Sequence, residues 1–180
     1  WPKVVVSITP DRHVFIGEWV TLRCDIHGGR NTQRSYSWYK NGEFQKHGDT
    51  LSFWVDANSD RDDYTCREYY TRLESDAVRL TVSVKPKPTL RMNRQSSIHT
   101  GDTVTLTCNL QEGTGWEFLF YKNNQQLQHS STEPVNTNTL HVTVYTTGDT
   151  VYKCVARRYN TWADTHYYTE YSNGVLITAT

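Results

Sequence analysis

The 180 residues contain a single Met, and Lys+Arg balance Asp+Glu at 19 each, so the chain has no excess charge of either sign. A general nucleic-acid binder needs surplus positive charge to displace counterions, and that class is set aside. No apolar run approaches the ~20 residues of a spanning helix, so no membrane contact is expected from this sequence. No Asn-x-Ser/Thr sequon occurs, so neither face is expected to carry an N-linked glycan. There is no CxxC pair, and no Cys has a His at ligand spacing, which argues against a zinc site. GxSxG, HExxH, Walker and dinucleotide patterns are also missing, and the seven His are scattered. We therefore expect no enzyme, no cofactor and no metal. Residue 1 is Trp, with no charged or apolar leader after it, so a processed or trimmed piece is expected.

What the chain does hold is aromatic and repetitive. Aromatics make up 13%, with 12 Tyr and 6 Trp, which argues against disorder. Thr, Val and Tyr are abundant, favouring strands. Gly17-Glu18-Trp19-Val20-Thr21-Leu22-Arg23-Cys24 matches Gly101-Asp102-Thr103-Val104-Thr105-Leu106-Thr107-Cys108 at an offset of 84. A Tyr stands two residues before both Cys66 and Cys154, and the block from Ser75 to Val82 answers the block from Ser172 to Ala179. Three blocks in one order mean a duplicated domain, with residues 1–85 and 86–180 as its copies. Four cysteines allow three pairings, and the repeat selects Cys24–Cys66 and Cys108–Cys154, at separations of 42 and 46 residues. Closing each such loop is worth ~4 kcal/mol in chain entropy. Bridges of this kind imply an oxidising, extracellular setting.

Val20, Leu22, Cys24 and Ile26 alternate with polar residues at period two, as do Val104, Leu106, Cys108 and Leu110. Leu51, Phe53 and Val55 form another inward row, answered by Leu140, Val142 and Val144. Turn signals such as His27-Gly28-Gly29, Asn41-Gly42 and Asn123-Asn124 separate the runs. No ten-residue stretch has a persuasive helical period.

Many short strands, a Cys…Trp…Cys order and a Tyr two before the second Cys resemble the immunoglobulin fold. The resemblance implies an all-β chain of two tandem β-sandwiches of C2 or I type, with one disulfide each. It makes Trp38 and Tyr64 core pins of the first domain, and Phe120 and Tyr152 those of the second. It also implies that each Tyr hydroxyl ties down the corner before its strand. Phe120 stands where the first copy has Trp38, a core variant with no indole N–H to satisfy.

More narrowly, Pro2 to Pro10, Gly17 to Cys24 and Ser75 to Val82 resemble the paired membrane-distal domains of leukocyte receptors. Tyr167-Tyr168-Thr169-Glu170-Tyr171-Ser172-Asn173-Gly174-Val175 is most similar to the fish Fc receptor-like and leukocyte immune-type branch. The resemblance implies a cell-surface receptor ectodomain, or a secreted form of one. Its partner would be a protein, antibody Fc or a class I histocompatibility molecule. The rival readings are adhesion and a soluble immunoglobulin-binding protein. A receptor of this kind is expected to be a monomer in solution. Fc receptors clamp an Fc proline between two Trp; in this chain the linker and residues 109–115 contain none, so that clamp is not carried over.

The binding residues are sought where the copies differ. Eight residues separate Cys66 from Ser75, but seventeen separate Cys154 from Ser172. The longer segment holds four Tyr, one Trp and two Arg, the residue types that dominate interface hot spots. Arg157, Arg158, Tyr159, Trp162, His166 and Tyr167 are the expected ligand contacts, with Trp116 beside them. Alternation also turns Trp19 and Trp54 outward, where we expect packing against the other domain ahead of a ligand.

Overall fold

The computed structural model describes residues 1–28, 34–94, 96–128 and 137–180. Gly29, in the turn expected after Ile26, and His129 lie outside the described residues. The chain divides into two compact units: Trp1–Val84 with Tyr159–Tyr167, and Lys85–Arg158 with Tyr168–Thr180.

The first unit contains strands β1 (Lys3–Thr9), β2 (His13–Phe15), β3 (Trp19–His27), β4 (Tyr36–Lys40), β5 (Glu43–His47), β6 (Thr50–Trp54), β7 (Tyr64–Glu68) and β8 (Thr81–Ser83). One antiparallel sheet runs β1-β3-β6 and another β5-β4-β7, while β2 pairs with β8 in parallel. Cys24 on β3 and Cys66 on β7 are bridged, so the disulfide joins the two larger sheets. Val20, Leu22, Trp38 and Cys66 are fully buried around it. The Trp38 indole N–H donates to the Gly48 carbonyl at 3.1 Å.

The second unit is built from β9 (Thr89–Met92), β10 (Thr103–Asn109), β11 (Glu117–Lys122), β12 (Gln125–Gln126), β13 (Thr139–Thr143), β14 (Gly148–Asn160), β15 (Thr165–Tyr168) and β16 (Val175–Ala179). Its sheets are β13-β10-β9 and β12-β11-β14-β15, with β16 also paired to β14. The far ends of β14 and β15 run into the segment counted with the first unit. The Cys108–Cys154 bridge again spans β10 and β14, with Phe120 and Tyr152 buried in the surrounding core.

The internal repeat is a repeat of backbone demands. Gly17 and Gly101 have φ of +90° and +93°, a region closed to most side chains. The acidic residue after each accepts a backbone N–H three residues upstream: Glu18 from Phe15 at 3.2 Å, Asp102 from His99 at 2.9 Å. Ser75 and Ser172 each clamp the second cysteine of their unit. The serine N–H donates to the cysteine carbonyl, and the cysteine N–H donates to the serine hydroxyl, at 2.8–3.0 Å throughout. Asn41 and Asn123, both at positive φ, make matching hairpin turns.

One implied detail does not hold. Neither the Tyr64 nor the Tyr152 phenol makes a hydrogen bond among the described residues. Both rings are buried, and burial raises both phenols, Tyr64 to about 12 with Asp62 and Asp56 adding to the effect. In the first unit the corner is held by Asp56 instead: its N–H donates to the Ser59 hydroxyl at 2.9 Å and its carbonyl accepts the Ser59 N–H at 3.2 Å.

The copies diverge two residues after the second cysteine. In the first unit Glu68 is fully buried, and its carboxylate accepts the Thr71 N–H at 2.6 Å and hydroxyl at 2.7 Å. That closes a tight turn and ends β7. Ala156 holds the same place in the second unit, and β14 continues to Asn160. Burial pushes the Glu68 carboxyl up, but the hydrogen bonds from Thr71 outweigh it and the net shift is downward.

Two outcomes are expected. Trp38→Ala should lower unfolding free energy by about 3–5 kcal/mol, whereas Trp38→Phe, copying Phe120, should cost only about 1–3 kcal/mol for the abandoned Gly48 carbonyl. Urea titration distinguishes them. For Glu68, the unfolded chain takes up its proton near the ordinary value of about 4.3 while the native state still excludes it. Its contribution is thus complete above that pH and lost as pH falls through the lower native value. Stability measured from pH 6 downward should fall less steeply in Glu68→Gln than in the parent.

Candidate protein-recognition surface

Strand β14 leaves Cys154 with the two-residue alternation of any strand. Cys154, Ala156, Arg158 and Asn160 are all buried, while Tyr159 between the last two is exposed. Counting by twos from the cysteine would have assigned these faces from the sequence. The expectation that Arg158 stands free near the hairpin end is therefore corrected. Only 2% of it is exposed; its guanidinium lies 4.9 Å from the centre of the Trp116 ring and donates to the Thr114 carbonyl at 3.2 Å. Trp116 is half-buried beneath it and donates its indole N–H to the Glu112 carbonyl at 2.8 Å.

Arg157 points to the opposite face. It makes a bidentate pair with Glu117 at 3.0 and 3.1 Å and a third bond to the Tyr168 hydroxyl at 3.1 Å. The Glu117 hydrogen bonds hold its guanidinium above the ordinary arginine value. Such a fork is rigid, so Arg157 and Glu117 present a fixed, charge-compensated pair.

Tyr159–Tyr167 is the part of the hairpin that belongs to the first unit. Tyr167, expected as a ligand contact, is instead anchored: its hydroxyl donates to the Ile16 carbonyl at 2.9 Å and its ring stacks on Phe15 at 6.4 Å. Asn160 was not singled out from the sequence, yet it organises the turn. Its amide donates to the Trp19 carbonyl at 3.1 Å and the Thr21 hydroxyl at 3.2 Å. Its carbonyl oxygen accepts the N–H groups of Trp162 and Ala163 at 3.0 and 3.2 Å. One buried side chain thus fixes both the turn and the sheet beneath it.

What remains outward is compact. Tyr159 is 37% exposed, donates to Asp164, and meets the His166 ring edge-on at 4.9 Å. That bond to the Asp164 carboxylate, with some burial, raises the phenol. His166 is exposed. Trp162 is 51% exposed, with the Arg23 guanidinium 4.6 Å from its ring centre. On the same outer sheet face, Trp19 sits opposite Trp54 on the neighbouring strand, their rings 4.7 Å apart and T-shaped. Trp54, expected to face outward, is 65% exposed.

The chain belongs to the immunoglobulin-domain family, whose family model matches residues 1–84 and again 87–179. Among solved structures it is similar to the human OSCAR ligand-binding domain, at 20% identity over 97% of this chain and 98% of that one, with a TM-score of 0.48. It is also similar to a marsupial T cell receptor (17% identity, 99% and 73% covered, TM-score 0.44) and to murine CEACAM1b (18%, 99% and 100%, TM-score 0.44). No helix among the described residues is long and apolar enough to cross a membrane.

Asn160→Ala should lower stability by about 1–3 kcal/mol, because it strands buried partners on both sides of the side chain. A change in denaturation midpoint equivalent to less than about 0.5 kcal/mol, the ordinary surface range, would remove Asn160 from this role.

Proposed function

We propose that this chain is the extracellular ligand-binding part of an immune-cell surface receptor, with Tyr159, Trp162 and His166 meeting a protein ligand. Residues 1–85 and 86–180 are its two domains. The observation that carries the reading is the contrast within one hairpin: Arg158, Asn160 and Tyr167 are spent on anchoring, while three rings face outward on a turn closed by the Asn160 side chain. Rings fixed before binding lose little entropy on contact, which is how Tyr and Trp become hot spots. Arg157 contributes a fixed ion pair with Glu117 on the outward side of its strand. The sequence resemblance to leukocyte receptors supports antibody Fc or a class I histocompatibility molecule as ligand.

The test is capture of both ligand classes on a biosensor by the soluble chain. One class should bind, and the double variant Tyr159→Ala/Trp162→Ala should abolish capture with unfolding changed by under about 1 kcal/mol, since truncating a single such anchor is worth ~2 kcal/mol or more of binding. A double variant that no longer folds would make those rings core. Concentration-dependent self-association in sedimentation would favour adhesion instead.

A further inference from the structure

On the outer face of β3 one charge is left unmet among the described residues. Val20, Leu22 and Cys24 are buried, so Trp19, Thr21, Arg23, Asp25 and His27 face the other way. Trp19 packs on Trp54. The Thr21 hydroxyl lies 2.8 Å from the Ser52 hydroxyl and accepts from the Asn160 amide at 3.2 Å. The Asp25 carboxylate accepts the Ile26 N–H at 2.9 Å and lies 4.0 Å from the His27 ring. The Arg23 guanidinium, by contrast, finds no acceptor among the described residues. Its neighbours across the sheet, Ser7 on β1 and Thr50 on β6, are uncharged.

That guanidinium is nevertheless held in place. It lies 4.6 Å from the centre of the Trp162 ring. The Trp162 turn is closed by Asn160, which also bonds Thr21, two residues before Arg23 on the same strand. Stacking on a ring occupies a face of the guanidinium plane, whereas the N–H groups lie in that plane and point out from its edge. Arg23 is thus half-buried and oriented with its donors unspent.

Stacking alone does not produce this state. Arg67 lies 5.1 Å from the centre of the Tyr39 ring and pairs with Glu74 at 3.6 Å. Arg157 lies 5.9 Å from that of Tyr168 and is forked onto Glu117. Arg158, over Trp116, donates to the Thr114 carbonyl. Each of these has an acceptor within the chain, and Arg23 has none among the described residues.

We infer that Arg23, held by Trp162, takes a carboxylate of the protein ligand, so that an Asp or Glu beside an apolar side chain is what this surface selects. The inference rests on the hairpin reading above: a protein that covers Trp162 covers Arg23 with it. Taking a guanidinium out of water without a counter-charge is costly, which disfavours any ligand that brings none. Asp and Glu are the side chains that are anionic at neutral pH, and their two oxygens match the guanidinium fork. Asp25 does not fill that place, because its carboxylate is engaged by Ile26 and His27 further along the strand.

The parent chain, Arg23→Gln and Arg23→Lys are compared on a biosensor carrying antibody Fc or a class I histocompatibility molecule. Arg23→Gln should weaken capture at least about tenfold, the range of a lost charge-assisted hydrogen bond, with the urea midpoint unchanged. Arg23→Lys keeps the charge without the fork and should fall between the other two. A random peptide library displayed on phage, selected on the parent and depleted on Arg23→Gln, supplies a probe independent of those ligands. Selected peptides should carry Asp or Glu next to an aliphatic or aromatic residue, and replacing that acid by its amide should abolish their binding. Capture of Fc or class I undiminished by Arg23→Gln overturns the inference and leaves the hairpin reading intact. Capture of neither, with acidic peptides selected, removes those two ligand classes and upholds the carboxylate preference. A selection without enrichment of Asp or Glu, or a urea midpoint lowered by Arg23→Gln, would each sink the inference, the latter by making Arg23 a prop of the fold.

Discussion

The alternation of a single strand governs the recognition surface. Once Cys154 is fixed by its disulfide and by Ser172, every second residue of β14 faces the interior. Arg158 must then be satisfied where it is, and the Trp116 ring and Thr114 carbonyl do so. Asn160 follows on the same side and reaches the Trp19 carbonyl and Thr21 hydroxyl. The residues between, Arg157 and Tyr159, have no choice but to face out. A slip of one residue would exchange the two sets and bury the rings now exposed.

The same logic explains why the hairpin is long in one copy and short in the other. Glu68 turns the first copy back at once, because its buried carboxylate needs the Thr71 N–H and hydroxyl within three residues. Ala156 imposes no such demand. The strand runs on until Asn160, whose side chain can close a turn and bind a sheet simultaneously. A buried polar group thus sets the length of each hairpin, and the hairpin decides what surface is available.

The hairpin offers rings held proud of the surface, suited to a broad protein contact. Its tip belongs to the first compact unit through Asn160 and Tyr167.

Much of the fold was legible in the residues. Glycines at positive φ, acids that close the turn after them, serines that clamp a cysteine and asparagines that turn a hairpin are local requirements, so they recur at fixed spacing. Cystine pairing followed from that repeat. The site was only half legible: aromatic enrichment after Cys154 marks the hairpin, but Arg158 and Tyr167, expected as contacts, are a buried side chain and a hydroxyl bonded to Ile16. Alternation alone would have turned Arg158 inward. It says nothing of what a side chain meets on arrival, and partners such as Trp19, Thr21 and Ile16 lie some 140–150 residues away in the chain. Local backbone chemistry is written in neighbouring residues; the partners of Asn160 and Tyr167 exist only once distant strands have packed.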